Sequence, residues 1–257
     1  TGNQSITAGG NITVQGGPGP GANSIAAITN AAGSQYVASN TYVNVRGGDG
    51  ADAIARITNT STSDQTVGES RSFTSFQTNN IEVKGGAGPG AFAEIVAAGP
   101  QQIYSQFGTL NVEGGAGTNA NARIESTSTS EQQIGFPDYF CCGSAIGSVI
   151  IKGGPGPGTG SYAHIDANGL QRVTAGSSIA LTGTTTDAHA MLSGATQDIR
   201  RGNITLTAGA GNNANALIAS DTSQFIDPGN VTLIGGGSAS TTATAKITAA
   251  GLQQIFG

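Results

Sequence analysis

Apolar and polar residues alternate in short runs along the whole chain, and three such runs recur in a fixed order. The first is an apolar-x-apolar triplet that leads into a glycine turn, as in residues 43–45. The second is Ala-x-Ala-x-Ile or a close variant, as in residues 91–95, and the third is Gln-x-Ile or Gln-x-Val. Because alternation with a period of two is typical of a strand with one buried face, each unit is predicted to contain three β-strands.

The three runs form a unit that occurs eight times after a leading fragment. The spacing between units varies mostly in the connection after the Gln strand. Two insertions, residues 68–79 and 135–148, are expected to leave the same corner. Constant strands with variable connections are typical of stacked supersecondary units. The last apolar residues of the first run are Val14, Val45, Val83, Val112, Ile151, Leu181, Leu206 and Leu233.

Equivalent strands stacked in parallel, about 4.8 Å apart, would give each face a continuous core. The sequence therefore predicts an all-β fold, a three-sided parallel β-solenoid of about eight coils that forms one domain over residues 1–257. Parallel crossovers are almost always right-handed, so a right-handed coil is expected. A longer period overlies the first five units, because units one, three and five carry Gly-Gly-x-Gly-Pro-Gly at residues 16–21, 85–90 and 153–158.

The glutamine of the third run has the same parity as the following Ile or Val. If that apolar residue points inward, the glutamine does too, and stacked glutamines would form an amide ladder between successive coils. A buried amide without such partners would be destabilising. The alternative is that each glutamine turns a corner with its amide in water. The predicted ladder consists of Gln4, Gln35, Gln65, Gln101, Gln132, Gln171, Gln197, Gln224 and Gln253.

The outward positions of the second run predict two vertical rows. In one row Arg56, Glu94 and Arg123 alternate in charge, so neighbouring coils should attract each other. Two residues earlier in each strand, Ile25, Ile54 and Phe92 would form an exposed apolar stripe. Such a stripe indicates a partner surface, although isolated apolar residues on a surface are also ordinary.

Both insertions contain aromatic residues that would be unfavourable in water. They are predicted to pack on each other, on the solenoid wall or on another subunit. The two adjacent cysteines could be free thiols, a vicinal disulfide or cross-links to a neighbour. The residues concerned are Phe73 and Phe76 in the first insertion and Phe136, Tyr139, Phe140, Cys141 and Cys142 in the second.

Composition narrows the function classes. The 257 residues include 42 Gly and 8 Pro but no Trp, and only 10% are charged, which is unlike a helical or α/β enzyme. The net charge is -5 and the basic residues are scattered, so no nucleic-acid partner is predicted. No apolar stretch approaches the roughly 18 residues that a membrane-spanning helix needs. The shortage of Lys and Glu is typical of a secreted surface protein.

Few residues offer chemistry. Asp49 and Asp52 fit the calcium-binding nonapeptide pattern once, whereas calcium β-rolls need tandem copies. His164 and His189 are expected to project outward as solvated side chains, without further ligands at an obvious spacing. The acidic residues are too scattered for paired acid/base catalysis. We therefore expect no metal, no cofactor and no enzymatic activity.

The units resemble those of bacterial filamentous-haemagglutinin-type exoproteins and related surface proteins built from β-strand repeats. The resembling residues are the strand-turns at residues 11–17 and 203–209, the Ala-x-Ala-x-Ile strands, and strands such as residues 2–6. The resemblance covers the whole chain. It implies export, a right-handed β-helix, and an adhesive or scaffolding role.

The favoured hypothesis is an extracellular structural β-solenoid, a subunit or segment of a surface fibre or biofilm-matrix filament. The chain begins and ends at a Gln-x-Ile strand, so self-association end to end or laterally is expected through open strand edges. One alternative is an adhesin that binds host or matrix glycans through the aromatic insertions. Another is a polysaccharide-active β-helix enzyme.

Overall fold

The computed structural model describes residues 2–19, 23–68, 78–105, 108–135, 146–156, 159–237 and 242–256, which contain 21 β-strands and no helix. In chain order the strands are β1 Gln4–Ala8, β2 Ile12–Gln15, β3 Ile25–Asn30, β4 Gln35–Ser39, β5 Tyr42–Arg46, β6 Ile54–Asn59, β7 Gln65–Gly68, β8 Asn80–Lys84, β9 Ala93–Ala97, β10 Gln101–Tyr104, β11 Thr109–Glu113, β12 Ala122–Ser126, β13 Gln132–Ile134, β14 Ile146–Lys152, β15 Ala163–Thr182, β16 Ala190–Arg200, β17 Asn203–Thr207, β18 Ala216–Asp227, β19 Val231–Ile234, β20 Ala245–Ala249 and β21 Gln253–Ile255.

The strands pair in parallel and form three stacks, each built from one of the three sequence runs. Stack 1 contains the apolar-x-apolar strands β2, β5, β8, β11, β14, the end of β15, β17 and β19. Stack 2 contains the Ala-x-Ile strands β3, β6, β9, β12, the starts of β15, β16 and β18, and β20. Stack 3 contains the Gln strands β1, β4, β7, β10, β13, the central part of β15, the ends of β16 and β18, and β21.

The register confirms the predicted β-solenoid of about eight turns. Val45, for example, lies between Val14 and Val83 in stack 1. Burial alternates along each strand, so that Ala122 and Ile124 of β12 are fully buried while the outward residues between and beyond them are partly exposed. One continuous core therefore fills the interior, and the inward alanines of stack 2 let the walls approach each other closely.

The corner between stacks 1 and 2 needs glycine because the backbones of successive turns lie in contact there. A Cβ on Gly47 would lie 2.3 Å from the carbonyl oxygen of Ala91, and one on Gly48 would lie 2.2 Å from that of Gly17. The same corner is closed by the hydrogen bond that Gly48 N donates to Ala53 O over 2.8 Å. The repeated Gly-Gly pair is thus a packing requirement of the fold.

The same corner also holds one left-handed residue in each of the first seven turns, with φ between +52° and +74°. Only Gly, Asn and Asp adopt this conformation readily. At two of these positions the residue is glycine, and a Cβ added there would collide with a side chain of the preceding turn. A Cβ on Gly90 would lie 2.2 Å from Asp52 Oδ1, and one on Gly160 would lie 2.4 Å from Asn119 Oδ1. These contacts give one physical reason for the longer period of the sequence. The column comprises Asn23, Asp52, Gly90, Asn119, Gly160, Asp187 and Asn213.

The strands take up part of each expected insertion, so both insertions are shorter than predicted. Gly68 belongs to β7, and residues 146–148 belong to β14. Ordinary strand pairing explains the difference, because β14 pairs with β15 from Ile146 onward. The aromatic and cysteine residues of both insertions lie outside the described residues, so the predictions that concern them stay predictions.

Candidate functional site

The glutamine ladder runs through all nine predicted positions. In every step the side-chain Nε2 of one glutamine donates to Oε1 of the glutamine one turn earlier, over 2.6 to 2.8 Å. The seven glutamines from Gln35 to Gln224 are at most 2% exposed. The inward interpretation is therefore confirmed, and the alternative with the amides in water is wrong.

The second N–H of most ladder amides reaches a backbone carbonyl of stack 2. Gln132 Nε2 also donates to Asp166 O over 2.9 Å, and Gln65 Nε2 donates to Val96 O over 3.0 Å. These carbonyls belong to the following turn, whereas Gln197 donates to Leu192 O within its own turn over 3.2 Å. Each such amide thus bonds along the axis and across to stack 2. A buried amide with both N–H groups satisfied stabilises the interior.

The outward row of stack 2 contains the predicted charged residues, and the pairing confirms their register. Glu94, which is only 8% exposed, lies 3.6 Å from Arg56 Nε and 2.8 Å from Arg123 Nη2. Arg123 also lies 2.9 Å from Glu125. Burial by itself lowers the pKa of Arg123. The hydrogen bond to Glu94 and the charges of both glutamates raise it by more, so the net shift is upward. The guanidinium therefore stays charged, and Glu94 links three turns through its contacts with both arginines.

The apolar stripe predicted beside this row is less exposed than expected. Ile25 is 60% exposed, but Ile54 and Phe92 are half-buried. The guanidinium of Arg56 lies 5.9 Å from the centroid of the Phe92 ring, a cation–π distance. The long arginine side chain thus covers part of the apolar surface. Of the three stripe residues, only Ile25 offers a largely open apolar side chain.

The two histidines project outward as expected but are only partly exposed, which corrects the expectation of solvated side chains. They stack with a tyrosine to form what we call the imidazole cluster, Tyr162, His164 and His189. Ring centroids lie 4.2 Å apart for Tyr162 and His164, and 4.7 Å apart for the two imidazoles. The cause is register, since the outward row that reaches Tyr162 continues to His189 in the next turn. Following that row one turn further in the sequence would have predicted the contact.

Each imidazole of the cluster has an oxygen on one side. His164 Nδ1 lies 3.6 Å from Asp166 Oδ2, and its Nε2 is buried without a hydrogen-bond partner among the described residues. The backbone of Asp187 faces the other imidazole and opposes the lowering of the pKa of His189. Burial lowers the pKa of His189, and His164 lowers it further, against the opposing effects of Asp187 and Asp166. His189 is therefore harder to protonate than an ordinary histidine.

The calcium candidates occupy the glycine-rich corner, where both side chains are exposed. Asp52 is one of the left-handed residues, with φ of +52°. The left-handed backbone conformation thus explains why Asp stands at this position, since Asn or Gly adopts the same conformation in other turns. Within the part of the chain that the structure describes, no group of three His, Cys, Asp or Glu side chains could hold a metal ion.

The glycan-binding hypothesis depends on residues that lie outside the described ranges, so it stays a hypothesis. These residues are Phe73, Phe76, Phe136, Tyr139, Phe140, Cys141 and Cys142. Within the described ranges, no helix has the length and apolar character needed to cross a bilayer. No protein-family model matches the chain, and no curated protein or solved structure shows significant similarity to it.

Proposed function

We propose that this chain is a structural β-solenoid, a segment or subunit of an extracellular surface fibre or biofilm-matrix filament. The observation that supports it is the unbroken axial ladder of glutamines, whose bonds all point the same way. Such a ladder ties each turn to the next and offers the same polar pattern to any further turn. Low charge and a repeat built for stacking fit a structural role.

The last turn exposes residues that are core residues elsewhere in the rod. Leu233 is 50% exposed, whereas its register partner Leu206 is fully buried. Ile255 is 48% exposed, whereas its partner Ile226 is fully buried. Exposed apolar residues on an open strand edge favour pairing with further strands. A further turn of the same motif, from the same polypeptide or from another copy, would bury them.

The test is sedimentation velocity and negative-stain microscopy of the 257-residue protein over a range of concentrations. We expect end-to-end association that Leu233→Lys abolishes, because the substitution places a charge at a core position. Thr232→Lys is the matched control, since the neighbouring Thr232 points outward on the same strand, and it should associate like the wild type. Uniform short rods at every concentration, or association that survives Leu233→Lys, would overturn the proposal.

A further inference from the structure

The soft and borderline metal ligands of the described chain lie together on one face. The 257 residues contain two histidines and one methionine. His164 and Met191 are register partners on adjacent strands of stack 2, and His189 precedes Met191 by two residues, so all three project outward from the same side of the solenoid. Three side chains of such rare types in one patch indicate a shared role.

His164 has surroundings like those of a metal-binding histidine. In proteins, a histidine that binds a metal usually donates its other ring N–H to a carboxylate or a backbone carbonyl, which fixes the ring and its tautomer. His164 has the Asp166 carboxylate 3.6 Å from Nδ1, on the side of the ring away from Nε2. His164 Nε2 is left buried and without a partner among the described residues. An unpaired buried nitrogen is unfavourable unless something binds it.

One oxygen of each carboxylate near the cluster accepts a hydrogen bond, and within the described residues no three His, Cys, Asp or Glu side chains form a group that could hold a metal ion. Asp166 Oδ1 accepts a hydrogen bond from the Ser193 hydroxyl. Asp187 Oδ1 accepts one from Asn213 Nδ2 over 2.9 Å. What remains open is nitrogen from two imidazoles and sulfur from one thioether. Thioether ligands select Cu(I), and imidazole also suits copper.

From this arrangement we infer that His164, His189 and Met191 form a surface site for a single Cu(I) ion. The two imidazole nitrogens and the Met191 sulfur supply three neutral ligands. The site is independent of the proposed structural function, since its residues face away from both the core and the ends of the rod. Binding transfers no electrons and needs no co-reactant.

The experiment is an anaerobic competition titration with the chromogenic Cu(I) chelator bicinchoninate. The full chain carries Cys141→Ser and Cys142→Ser, because thiolates bind Cu(I) tightly and would mask the site. We expect one equivalent of Cu(I), with the affinity lowered at least about tenfold by Met191→Leu and by His164→Asn. Met191→Leu preserves size and hydrophobicity, so it keeps the test valid if His164→Asn disturbs folding.

Leu217→Ala is the control, because Leu217 follows Met191 in the same outward row one turn later. It should leave the affinity unchanged. X-ray absorption of the copper-loaded protein is expected to show two nitrogen ligands and one sulfur ligand. Absence of Cu(I) binding in the thiol-free protein, binding that Met191→Leu does not weaken, or a copper centre without sulfur would each overturn the inference.

Discussion

Gln132 donates a hydrogen bond from Nε2 to Oε1 of Gln101, one turn earlier, over 2.7 Å. The two strands that carry these residues are short, since β13 contains three residues and β10 contains four. Strands of this length contribute little by themselves. The side-chain amides add axial hydrogen bonds parallel to those of the backbone, so the ladder reinforces the stack where the strands are shortest.

We predict that Gln132→Met destabilises the protein by about 2–6 kcal/mol, since two buried amide groups lose a partner at about 1–3 kcal/mol each. Gln101 Oε1 would lose its donor and Gln171 Nε2 would lose its acceptor. Urea denaturation measures the effect. Gln102→Met is the control, because Gln102 points outward beside the ladder, and it should change the free energy of unfolding by less than about 0.5 kcal/mol. Equal effects of both substitutions would contradict the structural role of the ladder.

The left-handed column predicts a rescue between neighbouring turns. Gly160→Asn suits a positive φ, but its Cβ would collide with Asn119 Oδ1, so we expect a destabilisation of about 1–2 kcal/mol. Adding Asn119→Gly should recover most of that loss, because it removes the colliding side chain while retaining a residue that tolerates the conformation. The measurement is a double-mutant cycle in thermal or chemical denaturation. Additive effects of the two substitutions would show that the contact between the turns is unimportant.

Removal of the central carboxylate should destabilise the outward charged row. Glu94→Ala leaves Arg56 and Arg123 facing each other without their shared partner, and we expect a loss of about 1–3 kcal/mol. The loss should be larger at low ionic strength, since salt screens the repulsion between the arginines. Glu82→Ala is the comparison, because Glu82 pairs with the more exposed Arg46, and we expect it to lose less than about 1 kcal/mol. A larger effect of Glu82→Ala would contradict the expectation that the more buried ion pair contributes more to stability.

The metal-free protein should lose stability as the pH falls below 6.5. Burial first, and His164 second, lower the pKa of His189 in the folded state from its ordinary value of 6.5. The unfolded chain therefore takes up the proton first, so this contribution is complete above pH 6.5 and is lost as the pH falls toward the lowered pKa. Asp187 and Asp166 face His189 and oppose the shift without reversing it.

Urea midpoints between about pH 8 and about pH 5 test this behaviour, since histidine titrates within that range. His189→Asn should show a shallower loss of stability at low pH than the wild type. His164 contributes to the shift as a neighbouring charge, so His164→Asn should also reduce the slope, but by less than His189→Asn. If His189→Asn loses stability with falling pH as steeply as the wild type, another group controls the loss of stability at low pH.

Some candidate-site predictions succeeded because they depended only on register. The alternation of Arg56, Glu94 and Arg123 follows from matching positions in successive repeats, and the pairing confirms it. The predicted exposure of Phe92 was wrong, because the long side chain of Arg56 in the adjacent row lies over the Phe92 ring. The histidines are less exposed than predicted for a similar reason, since their rings touch diagonally between two turns.

The sequence by itself determined the strands, their parallel stacking and the direction in which the glutamines point. These properties follow from the alternation of apolar and polar residues within each strand and from the repetition of the three runs along the chain. Both can be read directly from the sequence. Contacts between turns are visible only in three dimensions, as those between Asn119 and the backbone corner at Gly160 and between the rings of Tyr162 and His189. Contacts of this kind depend on side-chain length and on the height of each corner, because residues about 30 positions apart in the chain lie only one strand spacing apart in the fold.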